Sequence, residues 1–231
     1  MIVAEIFRSL QGEGKLAGVP SVFVRTSGCN LRCRWCDTKY ASWEPEGEEF
    51  PIGEVAARVL AHRLPHVVVT GGEPMVARGI HDLCAQLRDA GLHITIETAG
   101  TVAPGGIACD LASISPKLAN STPHKGEIEE GWTKRHERDR LQPAVIRDWL
   151  GHCPFQLKFV IETATDLGEV DALLAELGGA VAPADVLLMP QGIDPTTLAS
   201  REPALAALCM KRGNRYCPRL QIGLYGNRRG T

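Results

Sequence analysis

The chain has no excess charge of either sign, no apolar run long enough to span a bilayer, no internal repeat and no second pair of closely spaced cysteines. Each absence excludes something. With 25 Lys and Arg against 27 Asp and Glu, the formal net charge is −2, which argues against a protein whose main task is gripping nucleic acid. Without a bilayer-length apolar run, no membrane partner is expected. The opening segment "MIVAEIFRSL" places Glu5 and Arg8 within an otherwise apolar stretch, unlike a secretory leader. A cytoplasmic setting is therefore expected, where eight cysteines are reduced thiols or metal ligands rather than disulfides. Cys84, Cys109, Cys153, Cys209 and Cys217 are scattered, form no C-x2-C pair, and read as small buried apolar residues.

What is present is an alternation of short apolar runs with amphipathic ones. The 231 residues suit one sizeable domain spanning residues 1–231. Strands are expected near residues 2–7, 21–26, 66–70, 92–98, 108–114, 156–161, 185–189 and 220–225, rich in Val, Ile and Leu as strands buried on both faces should be. Helices are expected near 51–63, 76–90, 166–177 and 203–211, the first led by Pro51 and the second stopped by Gly91. Strand–helix–strand alternation predicts an α/β protein with a mostly parallel sheet, open or closed into a barrel. Residues 119–140, "ANSTPHKGEIEEGWTKRHERDR", break the rhythm and read as a surface insertion, part loop and part helix. A solvated face explains it; so does a lid over a site.

Ligands of parallel sheets and barrels sit beyond the carboxyl ends of the strands. The distinctive loops fall there: "TGGEP" from Thr70, "ETAG" from Glu97, "SPK" from Ser115, "PQGID" from Pro190, and "SGCNLRCRWCDT" from Ser27. The last carries Cys29, Cys33 and Cys36 as C-x3-C-x2-C. Thiolates suit zinc or iron–sulfur clusters. Structural zinc wants four ligands, and here Asp37 or a histidine would have to complete them. A 4Fe–4S cluster held by three cysteines leaves one iron open to a small molecule, a mark of chemistry rather than bracing.

C-x3-C-x2-C with Trp35 before the last cysteine resembles the radical S-adenosylmethionine (SAM) superfamily. The resemblance implies a 4Fe–4S cluster on Cys29, Cys33 and Cys36 whose open iron is chelated by SAM. One electron would then split SAM to a 5′-deoxyadenosyl radical. The Gly71-Gly72-Glu73-Pro74 turn fits the superfamily's glycine-glycine-glutamate motif, in which a carboxylate can take the SAM ammonium, although a strand-to-helix turn alone also explains it.

"LQGEG" from Leu10, then Arg25, "CDT", "TGGEP", "ETAG" and "SPK", in that order, resemble the 7-carboxy-7-deazaguanine synthase family over nearly the whole chain. The resemblance implies a partial, open TIM-like barrel with about six core parallel strands. It implies conversion of 6-carboxy-5,6,7,8-tetrahydropterin to 7-carboxy-7-deazaguanine with loss of ammonia, in 7-deazapurine biosynthesis, supported by Mg²⁺. It assigns Leu10, Gln11, Gly12, Arg25 and Thr70 to the substrate. Arg25 would hold the substrate carboxylate in a bidentate pair, with a structural ion pair as its alternative. Trp35, Cys36, Asp37, Gly72, Glu73, Ser115, Pro116, Lys117 and Gln191 fall to SAM, and Thr38 to Mg²⁺. Glu97 would reach the ribose or the substrate. A flavodoxin or ferredoxin as reductant and a homodimer are the implied partners. The end of the chain, "LYGNRRGT", lacks the family's common Gln-Thr-His-Lys ending, which leaves Asn227, Arg228 and Arg229 as candidates. A glycyl-radical-enzyme activase shares the cysteine motif, but Asp37-Thr38 and the Gln11 loop speak against it.

Overall fold

The computed structural model describes residues 1–231. The first third holds β1 (Ile2–Leu10), β2 (Pro20–Thr26), α1 (Lys39–Ser42), β3 (Glu48–Glu49), α2 (Ile52–Ala61) and β4 (His66–Gly71). Then come α3 (Ile80–Asp89), β5 (His93–Thr98), β6 (Leu111–Ile114), α4 (Glu130–Asp139), α5 (Pro143–Leu150) and β7 (Phe155–Ile161). The chain finishes with α6 (Asp166–Glu176), β8 (Val186–Pro190), α7 (Pro195–Arg212), β9 (Arg215–Tyr216) and α8 (Leu220–Tyr225).

All nine strands join one sheet, in the order β3-β1-β2-β4-β5-β6-β7-β8-β9. From β2 onward the order follows the chain and every pairing is parallel. β1 lies antiparallel to β2, and β3 antiparallel to β1. Crossovers between parallel strands are right-handed, so a sheet that always steps the same way collects its helices on one face. The opposite face is left to curl around a cavity. The sheet does not close, since β3 and β9 are its edges, and its body is the expected open α/β barrel with six long parallel strands.

The two faces alternate residue by residue. Val22, Val24, Val67, Val69, Ile94 and Ile96 point to the helices and join a single buried core with Val59, Leu83, Leu87, Trp149, Val170 and Leu173. The intervening residues are largely polar. Ser21 Oγ donates to the Val19 carbonyl at 2.9 Å and accepts from His66 Nδ1 at 2.6 Å, while His66 Nε2 accepts from Thr95 Oγ1 at 2.8 Å. Gln156 Nε2 donates to Ser113 Oγ at 2.8 Å. These buried groups are mutually satisfied, as desolvated polar groups must be. The expectation that strands are apolar on both faces therefore holds throughout on the helix side and only in part on the inner face, at Val68 and at Val160, Leu187 and Met189.

Other expectations need correction. Residues 220–225 form α8, not a strand. Leu220, Ile222 and Leu224 alternate as in a strand, but six residues are too few to fix a period, and the segment meets no open sheet edge; a helix supplies its own backbone partners. The helix expected over 203–211 starts at Pro195, where the Asp194 side chain accepts from Thr197 N at 2.8 Å, so Pro203 lies inside it. α1, α5 and the two-residue strands β3 and β9 were not anticipated. Residues 119–140 form no lid. Their helix α4 turns a fully buried His136 inward, where Nδ1 accepts from Arg32 N at 3.1 Å and Nε2 donates to Ser121 Oγ at 3.0 Å. Arg34 N and Trp35 Nε1 donate to Ser121 O (2.9 Å) and Asn120 Oδ1 (3.2 Å). The insertion is thus a buttress under the cysteine loop.

Candidate active site

A cavity of about 440 Å³ opens on the inner face of the sheet. Its walls are the carboxyl ends of the strands and the loops beyond them, as the topology requires. Of the residues singled out from the sequence, all but Glu73 and Pro116 line it.

Cys29, Cys33 and Cys36 sit on one wall with Leu31 and Ala99. Burial pushes the Cys29 thiol up to about 12, helped by Glu73, and burial likewise raises Cys33. Cys36 Sγ is 3.2 Å from Ser42 Oγ and 3.7 Å from Thr38 Oγ1. The three thiols share one wall; a 4Fe–4S cluster takes one thiolate on each of three irons and leaves the fourth open, whereas tetrahedral zinc would need a fourth protein ligand.

The Gly71-Gly72 turn is locked into that loop. Glu73 N donates to Gly28 O at 2.9 Å and Gly28 N to Ala41 O at 2.9 Å. A Cβ on Gly72 would collide with both carbonyls, so this glycine is needed for backbone-to-backbone approach. Glu73 is buried behind the turn and does not line the cavity. Its carboxylate accepts from Met75 N at 3.1 Å, Thr98 Oγ1 at 2.8 Å and Ala99 N at 2.8 Å. These bonds brace the turn. Pro116 also stays out of the cavity, whereas Lys117 Nζ donates to Ser115 Oγ at 2.8 Å and lies 5.6 Å from the Trp35 ring.

Across the cavity, Leu10 ends β1, and Gln11 and Gly12 follow. The Gln11 amide is held at both ends: Nε2 donates to Glu97 Oε1 at 3.1 Å and Oε1 accepts from Glu13 N at 3.1 Å. Each end keeps a second hydrogen-bonding position, whereas the Gln11 backbone N–H and carbonyl are already paired with Val19 and Gly18. Gly12 has no room for a Cβ because Gln221 lies against it, and Leu220 N donates to Gly12 O at 3.0 Å. Arg25 is ion-paired through Nε with Glu5 at 2.9 Å, and Tyr40 donates to the same carboxylate. This pairing uses one edge of the guanidinium and leaves the terminal nitrogens without a protein acceptor. Thr70 pairs with Arg25 in register. The Gln191 side chain accepts from Arg201. Of the C-terminal candidates, Arg229 lies 3.6 Å from the Tyr40 ring and pairs with Glu46.

Three charged cavity residues have no sequence-based assignment: Glu13, Lys158 and Arg219. Burial would raise the Glu13 carboxyl, but Lys158 and Arg219 hold it down at about 2. Burial would lower the Lys158 ammonium, but Glu13 and Glu97 hold it above the ordinary lysine value. A lysine inside the apolar strand "FQLKFVI" was the available signal. Counting all lining residues, Arg25, Lys117, Lys158, Arg219, Arg228 and Arg229 oppose Glu13, Asp37 and Glu97, a cationic balance suited to carboxylate-bearing ligands.

Residues 23–115 match the model of the radical SAM superfamily. The whole chain aligns at 47% identity with a 7-carboxy-7-deazaguanine synthase of Rhodopirellula baltica, covering 89% of that protein. It aligns at 43% identity with one of Halobacterium salinarum, over 97% of this chain and 90% of the relative. At 34% identity, one of Pyrobaculum aerophilum aligns over 99% of this chain and 96% of the relative. Among solved structures, QueE from Escherichia coli superposes with a TM-score of 0.68 at 24% identity, over 94% of this chain and 92% of that one. Streptococcus suis SuiB bound to S-adenosylmethionine gives 0.53 at 12% identity, over 81% and 44%. These two structures share the fold.

Proposed function

Because the chain belongs to the 7-carboxy-7-deazaguanine synthases of the radical SAM superfamily, we propose that this cavity converts 6-carboxy-5,6,7,8-tetrahydropterin to 7-carboxy-7-deazaguanine, releasing ammonia. One observation carries the reading: the three-cysteine loop, the Gly-Gly turn and the polar inner ends of β2, β4, β5 and β7 face a single cavity. Cys29, Cys33 and Cys36 would hold a 4Fe–4S cluster. When bound, the cluster and SAM supply a hydrogen-abstracting carbon radical.

The protein's part is to hold the substrate against that radical, since hydrogen transfer needs the two carbons in near contact. The free terminal nitrogens of Arg25 take the pterin carboxylate as a bidentate pair, and Glu5 fixes the plane of the guanidinium. The backbone of Leu10–Gly12 and the Gln11 amide, with Thr70 and Glu97, hold the ring. Trp35–Asp37, Gly72, Ser115, Lys117 and Gln191 surround SAM. Thr38 offers one hydroxyl to Mg²⁺, a hard cation that keeps several waters and can share the substrate carboxylate. A flavodoxin or ferredoxin as electron donor, a homodimer and a cytoplasmic setting complete the proposal. No helix is long and apolar enough to cross a membrane.

The test is anaerobic reconstitution with iron and sulfide, reduction, and addition of SAM, Mg²⁺ and the pterin. Mass spectrometry should find 7-carboxy-7-deazaguanine. 5′-Deoxyadenosine without that product would retain the radical chemistry and reject the substrate. A fully loaded protein giving neither would overturn the reading.

A further inference from the structure

Four charged side chains form a continuous chain along the cavity wall. Lys158 Nζ donates to Glu13 Oε2. Arg219 Nε donates to Glu13 Oε1 at 3.2 Å, Nη2 to Asp37 Oδ2 and Nη1 to the Gly192 carbonyl. The Lys158, Glu13 and Arg219 side chains are 7%, 12% and 8% exposed, and Asp37, at 35%, is the open end. Two cations balance two anions, which is what lets such a chain stay buried. Gln221 Nε2 adds a bond to Glu13 at 2.9 Å.

The partners of Arg219 place it at a junction. Glu13 directly follows the Leu10–Gly12 loop, Asp37 separates Cys36 from Thr38, and Gly192 follows Gln191. One guanidinium thus spans the loops assigned above to pterin, cluster and SAM. We propose that Arg219 is a positioning residue that keeps the pterin loop and the cysteine loop in register, so that SAM cleavage is productive only when the pterin is seated. The inference rests on the functional reading above. A planar fork with donors on three edges can reach all three acceptors, and the single ammonium of lysine cannot.

The test compares reconstituted wild type, Arg219→Lys and Asp37→Asn. Product and 5′-deoxyadenosine are measured with and without pterin, beside iron content and thermal melting. Arg219→Lys keeps its iron, and product falls about 100-fold, as displacement of reacting groups by an ångström would cause. 5′-Deoxyadenosine falls far less, so its ratio to product rises about tenfold or more and cleavage loses its dependence on pterin. Asp37→Asn removes the charge at the exposed end of the chain and should raise the same ratio even if Arg219→Lys does not fold. A second readout needs no cluster. Calorimetry of pterin binding to the cluster-free protein should show Asp37→Asn weakening affinity several-fold beside Arg219 and having no effect in Arg219→Lys. A product ratio unchanged in both variants, or the same Asp37→Asn effect in both backgrounds, would overturn the coupling. Wild-type protein that makes no product would overturn the functional reading and the coupling with it.

Discussion

On the helix-backed face of the sheet, Val24, Val69, Ile96 and Phe159 are buried in one apolar core. One residue away on the same strands, Arg25, Thr70, Glu97 and Lys158 face the cavity. The ladder keeps each set aligned, with Val24 opposite Val69 and Arg25 opposite Thr70. The first set obeys area and volume, so its members are interchangeable with similar apolar residues at modest cost. The second obeys direction and charge: Arg25 pairs with Glu5, Glu97 with Gln11 and Lys158 with Glu13. A strand here is two devices with a period of two, and a register slip of one residue would exchange them.

The sharpest break in that comparison is one substitution on each side. Cys33→Ala, on the cavity side, should abolish reductive SAM cleavage while leaving the melting temperature of the metal-free protein within a few degrees. Phe159→Ala should do the reverse. It removes a fully buried ring and should cost about 3–5 kcal/mol of stability in denaturant titrations, with the surviving folded fraction still turning over. Equal losses of stability from both would erase the distinction.

A smaller effect is expected from Arg25→Ala. It removes a charge-assisted pair from the proposed pterin site, so pterin affinity by calorimetry should fall about 100-fold while slow uncoupled 5′-deoxyadenosine formation continues. Normal turnover of the pterin would remove Arg25 from the site.

The smallest effect comes from two histidines buried behind the cavity walls. Burial holds His66 at about 4, with His93 adding to the shift, and holds His136 at about 4, each below the ordinary 6.5. Both are neutral when folded, so the unfolded chain binds more protons between those values. Stability should therefore decline as pH falls from about 6.5 toward 4 and change no further on their account below that. Denaturant melts across this window check the sign. In His66→Gln the slope should be shallower. Glu13, held at about 2, acts in the same direction but only below its unfolded value of 4.5.

The barrel body was legible because its helix-side residues repeat with the period of a strand and are punctuated by turns. The loops were legible because Cys29, Cys33, Cys36, Gly71 and Gly72 are types with narrow chemical uses. Arg219 was not. Its carboxylate partners Asp37 and Glu13 lie 182 and 206 residues away, and nothing local distinguishes an arginine after a proline. The surroundings of Glu73 were hidden for a related reason: a sequence shows that a carboxylate is present but not which donors already surround it. His136 sits in a stretch that looks wholly solvated, and only tertiary contact reveals why one imidazole there must be buried.

The sheet order also dictates a schedule for a chain made from its amino end. From β2 to β9 each new parallel strand lies beside the one before it, so the barrel body can be laid down as it emerges, domain-sized units folding early in synthesis. Glu13 cannot be finished on that schedule. Its carboxylate waits first for Lys158 and then for Arg219, and the Gly12 loop waits for Leu220. The rim of the cavity is therefore the last part of the molecule to set.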